Sequence, residues 1–269
     1  MTDPVPVPGG TLGVLGGMGP AATAEFLRLL AARVPADNDQ NHPRIVMLSD
    51  PSVPDRSAAL TEGGESPLPA IREGLATLVR WGADLLAVPC NTAHAYIDSI
   101  GELPVPVVHI VDATLRAAMA RSPGGGWLAA TAGTVESGLY QRRAAELGYR
   151  LVLPGAAVQA TIHRVAVLVK AGRTVEAGPP LAAALHTLWH RAPLPVLTAC
   201  TELPLAYTAA KLPPEAEVSS LDALASACAD ALYPVRLPRR TARPGAAREP
   251  VSAPLGRRAA PLPLRPAGY

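Results

Sequence analysis

The strongest constraint on this chain is that its second half repeats the plan of its first. An apolar run, a loop of small residues and a helical pattern open one half as Leu12–Leu15, Gly16–Gly19 and the stretch from Ala21. The other half opens with Trp127–Ala130, Thr131–Thr134 and the stretch from Val135. Each half later carries an apolar run that ends in a cysteine and small polar residues: Leu85-Leu86-Ala87-Val88-Pro89-Cys90-Asn91-Thr92, then Val196-Leu197-Thr198-Ala199-Cys200-Thr201-Glu202. The loop-to-cysteine spacing is 73 residues from Gly17 to Cys90 and 67 from Gly133 to Cys200. Two lobes of one architecture follow from this repetition.

Short apolar runs alternating with longer helical patterns make each lobe an α/β unit with a mostly parallel sheet. Strands are expected at Thr11–Leu15, Arg44–Leu48, Asp84–Val88, Val107–Ile110, Trp127–Ala130, Arg150–Leu153 and Pro195–Thr198. Helices are expected at Ala21–Arg33, Leu68–Trp81, Thr114–Arg121, Val135–Leu147, Val158–Lys170, Val175–Arg191 and Leu221–Leu232. Pro20 suits a first helical position, where its missing N–H costs little. In such sheets ligands bind beyond the carboxyl ends of the strands. Both cysteines and both loops fall there, so lobes that face each other would bring the two thiols to one cleft.

Composition removes several alternatives. No apolar run reaches the length of a membrane span. The Pro-rich start, Met1–Gly10, lacks the pattern of a signal peptide. Three cysteines are too few for a disulfide framework, so a cytoplasmic, reducing setting is expected. The net charge of +2 is uneven: residues 236–269 hold eight arginines and one glutamate, which leaves the first 235 residues near −5. That Pro/Arg-rich tail lacks apolar periodicity and is expected to be disordered. A solvated tail is preferred to a nucleic-acid-binding arm.

A lone cysteine is often a buried small hydrophobe, and Cys228, inside an Ala-rich helical pattern, fits that reading. Cys90 and Cys200 end strands at equivalent places and precede hydrogen-bonding residues. A helix starting there would aim N–H groups at the thiol and lower its pKa. A disulfide between them stays open. Zinc is disfavoured because neither has ligand-spaced Cys or His neighbours. His94, four residues after Cys90, either supports a thiolate or caps the turn. Gly17-Met18-Gly19-Pro20-Ala21-Ala22 matches a dinucleotide fingerprint, but the expected acid is misplaced and the cysteines go unexplained. Arg56, in the turn-rich Asp50–Arg56 loop, is either a surface partner of Asp55 or a fork for a carboxylate. Lys170, closing a helical pattern, is uninformative alone.

Taken together, Gly16-Gly17-Met18-Gly19-Pro20-Ala21-Ala22-Thr23, Asp39-Gln40-Asn41-His42, Pro54-Asp55-Arg56, Pro89-Cys90-Asn91-Thr92-Ala93-His94, Thr131-Ala132-Gly133-Thr134 and Cys200-Thr201-Glu202 resemble the aspartate/glutamate racemase family. The resemblance runs from about Thr11 to Leu232. It implies a pseudo-symmetric two-lobed α/β fold: residues 1–112 as the first lobe, 113–207 as the second, and 208–235 returning to the first. It also implies catalysis without pyridoxal phosphate or metal. By resemblance Cys90 and Cys200 are the catalytic thiols; Asn91, Thr92, Ala93 and Thr134 hold the α-carboxylate; Met18 lies over the substrate; and Arg56 with Lys170 reads a distal carboxylate. Ala199 replaces the usual Gly before the second cysteine. Ile162-His163-Arg164 stands where an Ile-Tyr-acid pattern is common, which weakens the match around Lys170.

Racemisation needs a proton removed from one face of Cα and another delivered to the opposite face, and two opposed thiols titrating near neutrality meet that need. The expected activity is therefore racemisation of an acidic amino acid, with aspartate favoured over glutamate. Cis–trans isomerisation of an unsaturated diacid, hydantoin racemisation and a silent acidic amino-acid-binding protein are the alternatives. No cofactor is expected. An amino-acid substrate is expected, with neither membrane nor nucleic acid as partner, and a homodimer is left open.

Overall fold

The computed structural model describes residues 8–234; the basic tail of 236–269 lies outside them. Two four-stranded parallel sheets carry the fold, and both follow the same strand order. The first is built from β1 (Leu12–Gly16), β2 (Ile45–Ser49), β3 (Leu85–Ala87) and β4 (Val107–Val108), in the order β2-β1-β3-β4. The second is built from β5 (Gly126–Ala129), β6 (Leu151–Val152), β7 (Val196–Thr198) and β8 (Glu217–Ser219), in the order β6-β5-β7-β8. The repetition in the sequence is thus a repetition of topology.

Helices α1 (Pro20–Arg33), α2 (Arg56–Thr61), α3 (Leu68–Arg80), α4 (His94–Ile97) and α5 (Ile110–Arg121) follow the strands of the first sheet. Helices α6 (Ala132–Glu136), α7 (Leu139–Glu146), α8 (Ala156–Lys170), α9 (Thr174–Arg191), α10 (Leu203–Ala209) and α11 (Ser220–Leu232) belong to the second half. The single helix expected over Val135–Leu147 is divided, because Gly138 adopts a left-handed conformation (φ 65°) between α6 and α7. Strand β8, absent from the expected set, extends the second sheet by pairing with β7. Helix α11 packs on α1 and α5.

Alternation along the strands sorts the core into layers. Leu12 and Val14 of β1 join Leu128 of β5, Leu197 of β7 and the apolar faces of α1, α5, α7 and α11 in one cluster between the sheets. Leu15 points the other way, onto α3. Trp127 and Ala129 face α8, α9 and α10. The layer shared by both sheets sets their strand ends in a common relation, and the cleft lies there. None of the described helices is long and apolar enough to cross a membrane.

Candidate active site

The loop after β1 is shaped by sterics. Gly17 has φ +91°, and a Cβ on it would stand 2.5 Å from the Asp50 backbone. Thr23 Oγ1 accepts from Gly17 N–H at 3.0 Å and donates to the Gly19 carbonyl at 2.9 Å. The Asp50 chain fills the space beside Gly17, where a side chain has no room. The same loop places Met18, 2% exposed, at the head of the cleft.

Cys90 and Cys200 follow β3 and β7, are 6% and 5% exposed, are both free thiols, and line one cavity. Its volume of about 10 Å³ is room for about one water. Met18, Arg56, Asn91, Thr92 and Lys170 share the lining. Ala93 and Thr134 stand behind it, fully buried. Cys228 sits in the apolar core with α11, where burial pushes its thiol up to about 12.

The segment after Cys90 is a turn, and α4 begins only at His94. The N–H groups of Asn91, Thr92 and Ala93 meet no protein acceptor among the described residues. The Asn91 side chain is committed elsewhere: its Nδ2 donates to Ser220 Oγ at 2.9 Å, and its Oδ1 accepts from Tyr140 O–H at 2.6 Å. What Asn91 offers the cleft is its backbone N–H. His94 donates from Nδ1 to the Cys90 carbonyl at 2.9 Å and accepts at Nε2 from Ile110 N–H at 3.4 Å. Full burial, then His109, drive its pKa down to about 3. His94 is thus a neutral ring that fixes the turn, and no hydrogen bond joins it to the Cys90 thiol.

Thr92 from the first lobe meets Thr131 and Thr134 from the second. The three hydroxyls lie 3.1, 2.8 and 3.0 Å apart in a closed ring. Thr131 also caps α6 by accepting from Thr134 N–H.

Beside Cys200 the chemistry differs from the lowered pKa expected of a helix start. Sγ donates to Glu202 Oε2 at 3.2 Å, and Glu202 Oε1 accepts from Gly19 N–H at 3.2 Å across the lobes. Burial, followed by the Glu202 charge, pushes the Cys200 thiol well above its ordinary value, against the pull of Lys170. The turn toward the seven-residue α10 does not outweigh a carboxylate in contact.

Arg56 is 7% exposed and has no carboxylate within 4.0 Å among the described residues. Its terminal nitrogens donate to the carbonyls of Val53 at 3.0 Å, Pro54 at 3.1 Å and Met18 at 2.8 Å, while Nε has no partner. Asp55 caps α2 instead of pairing with Arg56, accepting from Ser57 N–H at 2.7 Å and Ala58 N–H at 2.9 Å. Lys170 ends α8, is exposed, and lines the cleft. Burial of the ammonium works against its charge; Glu202, Cys200 and Cys90 outweigh that and hold the amine above its ordinary value.

Sequence reasoning named the thiols and both cations but missed Ser57, Thr131, Thr201 and Glu202 as cleft residues. An acid two places after Cys200 was the visible signal for Glu202. Nothing local marked Ser57, whose place depends on α2 reaching across to α6.

The sequence pattern of the Asp/Glu/Hydantoin racemase family matches residues 15–231, which takes in the whole cleft. The chain belongs to that family. Among other members of this racemase group, the aspartate racemase of Picrophilus torridus is 30% identical, with a TM-score of 0.72 over 82% of this chain and 93% of its own. The broad specificity amino-acid racemase RacX of Bacillus subtilis (strain 168) is 32% identical over 138 residues, 49% of this chain and 59% of RacX. A glutamate racemase from Campylobacter jejuni subsp. jejuni shares the fold at 22% identity, with a TM-score of 0.55 over 80% of this chain and 82% of its own.

Proposed function

We propose that this member of the racemase family interconverts the enantiomers of an acidic amino acid, aspartate first, with Cys90 and Cys200 as the paired acid and base. The observation that carries the reading is two free thiols, each just past the end of an equivalent strand, lining one cavity beside an Arg56 that lacks a carboxylate.

In this reading Cys200 starts as the thiol, consistent with its bond to Glu202, and Cys90 as the thiolate. Cys90 takes the Cα proton of one enantiomer, Cys200 delivers its own to the opposite face, and the roles exchange for the other enantiomer. The carbanion's charge passes onto the α-carboxylate. The free N–H groups of Asn91, Thr92 and Ala93 and the hydroxyls around Thr92 suit that enediolate-like state. Thr134 acts by orienting Thr92. Arg56 and Lys170 are assigned to the distal carboxylate, and Met18 to covering the substrate.

RacX is described as a broad specificity racemase, so the side chain is the point at issue. A buried guanidinium left facing an apolar side chain carries a large penalty, and Arg56 therefore favours an acid. The deciding experiment incubates the purified protein with L-aspartate in D₂O. Incorporation of deuterium at Cα together with D-aspartate is expected. Binding of aspartate with neither exchange nor inversion would identify a silent binding protein instead.

A further inference from the structure

A second cavity, of about 490 Å³, lies beside the cleft between α2, α6 and α8. It shares Ser57, Thr131 and Lys170 with the inner cavity. The cavities at α5 and α11, at Trp189 and at Ile97–Val107 share none of the inner lining. The inner space admits one water, so an amino acid reaches the thiols only when part of its wall moves.

The wall toward the outer cavity is held by close packing and one long hydrogen bond. It is the seam between α2 and α6, where a Cβ on Gly133 would stand 2.6 Å from Ser57 Cα. The hydrogen bond across it, Ser57 Oγ to Thr131 Oγ1, spans 3.5 Å, the weak end of the range. The outer cavity is also equipped for an acid. Lys170 has no carboxylate within 4.0 Å among the described residues. His163 Nδ1 accepts from Ala132 N–H at 3.3 Å, so the neutral ring carries its proton on Nε2 as a donor. Of the nearby acids, Asp55 is engaged in capping α2, and Glu62 lies on the exposed rim.

We propose that this outer cavity is a binding and entry compartment for small carboxylates, in which Lys170 and His163 make the first contacts before the Ser57–Thr131 seam opens toward Cys90 and Cys200. Lys170 stands in both linings, so an acid keeps one partner as it passes inward toward Arg56. The inference takes from the proposed function only that an acidic substrate must reach the thiols.

The test uses Val167, which lines the outer cavity from α8 at 52% exposure, so substitutions there spare the core. Alkylation of Cys90 and Cys200 by anionic iodoacetate and neutral iodoacetamide is followed peptide by peptide. Val167→Trp is expected to slow both reagents at least about tenfold, with an unchanged melting temperature. Val167→Glu is expected to slow iodoacetate about tenfold more than iodoacetamide, and Val167→Lys to reverse that preference. Wild-type alkylation rates in folded Val167→Trp, or no charge discrimination by Val167→Glu and Val167→Lys, overturn the proposal. These rates need no turnover: an absence of racemisation with the expected alkylation pattern sinks the proposed function and leaves the compartment standing.

Discussion

The thiol of Cys200 donates to the carboxylate of Glu202 at 3.2 Å, and the other oxygen of that carboxylate holds the N–H of Gly19 from the opposite lobe. One buried acid thus orients a thiol and ties together the two loops that frame the cleft. Replacing it with a neutral isostere removes the charge and keeps the shape. In Glu202→Gln the pH at which Cys200 becomes alkylated is expected to fall, because a negative neighbour that disfavours the thiolate is gone. Cys90 is expected to keep its own profile. A Cys200 profile unmoved by Glu202→Gln would show that burial alone sets it.

If the two thiols are opposed acid and base, each is indispensable. Cys90→Ser and Cys200→Ser are each expected to lower racemisation by on the order of 100-fold or more, with thermal unfolding close to wild type. Cys228→Ala, a change on the buried face of α11, is expected to leave turnover intact and to lower stability by roughly 1 kcal/mol. Full activity in either folded serine variant defeats the two-thiol assignment.

Arg56 gives the substrate prediction. Arg56→Ala is expected to cost about 1.5–3 kcal/mol toward aspartate, on the order of 10- to 100-fold in kcat/KM, and to narrow the gap between aspartate and alanine. Arg56→Lys is not expected to rescue it, because a single ammonium cannot reproduce the fork that engages Val53, Pro54 and Met18 at once. Steady-state kinetics with aspartate, glutamate, asparagine and alanine decide this. Unchanged selectivity in Arg56→Ala removes Arg56 as the reader of the distal carboxylate.

Glu217, on β8, sets a pH dependence of stability away from the cleft. Burial raises its carboxyl to about 7, against a hydrogen bond from Thr198. The folded state therefore binds this proton more tightly than the unfolded state. The associated stability is complete below the ordinary value of 4.5 and is lost as pH rises through about 7. Glu217→Gln keeps an acceptor for Thr198 and carries no charge, so it is expected to stabilise the protein at pH 8 by roughly 1–3 kcal/mol. It should have little effect at pH 5. Melting curves at the two pH values check it, and an equal effect at both would contradict the assignment.

The elements that could be read from the sequence are those with a strong local signal. Seven strands appear within a few residues of expectation, and so do the long helices α1, α3, α8, α9 and α11. Strand β8 was hidden because three residues, Glu217-Val218-Ser219, carry too short an alternation after a Pro-rich turn. Helix α2 was hidden for a related reason: six residues after Asp50-Pro-Ser-Val-Pro read as more loop, although Asp55 was there to cap them. The thiols stood out through the repeat. Ser57 and Thr131 are cleft residues by virtue of contacts between lobes, and such contacts leave no trace in local spacing. The commitment of the Asn91 side chain to Tyr140 and Ser220 is of the same kind, since its partners lie 49 and 129 residues away.

The shared strand order has a stereochemical meaning. The two enantiomers of an amino acid are equal in energy in water, so a racemase gains nothing by favouring one of them. In the proposed mechanism, a planar carbanion held between two lobes of the same construction would be approached from either face by a thiol at the end of an equivalent strand. Handedness enters through the features that the repeat does not duplicate: Arg56, Lys170 and the Glu202 contact to a single thiol. On the proposed assignment these would determine how each enantiomer is held, while the duplicated frame would keep the proton's two routes alike.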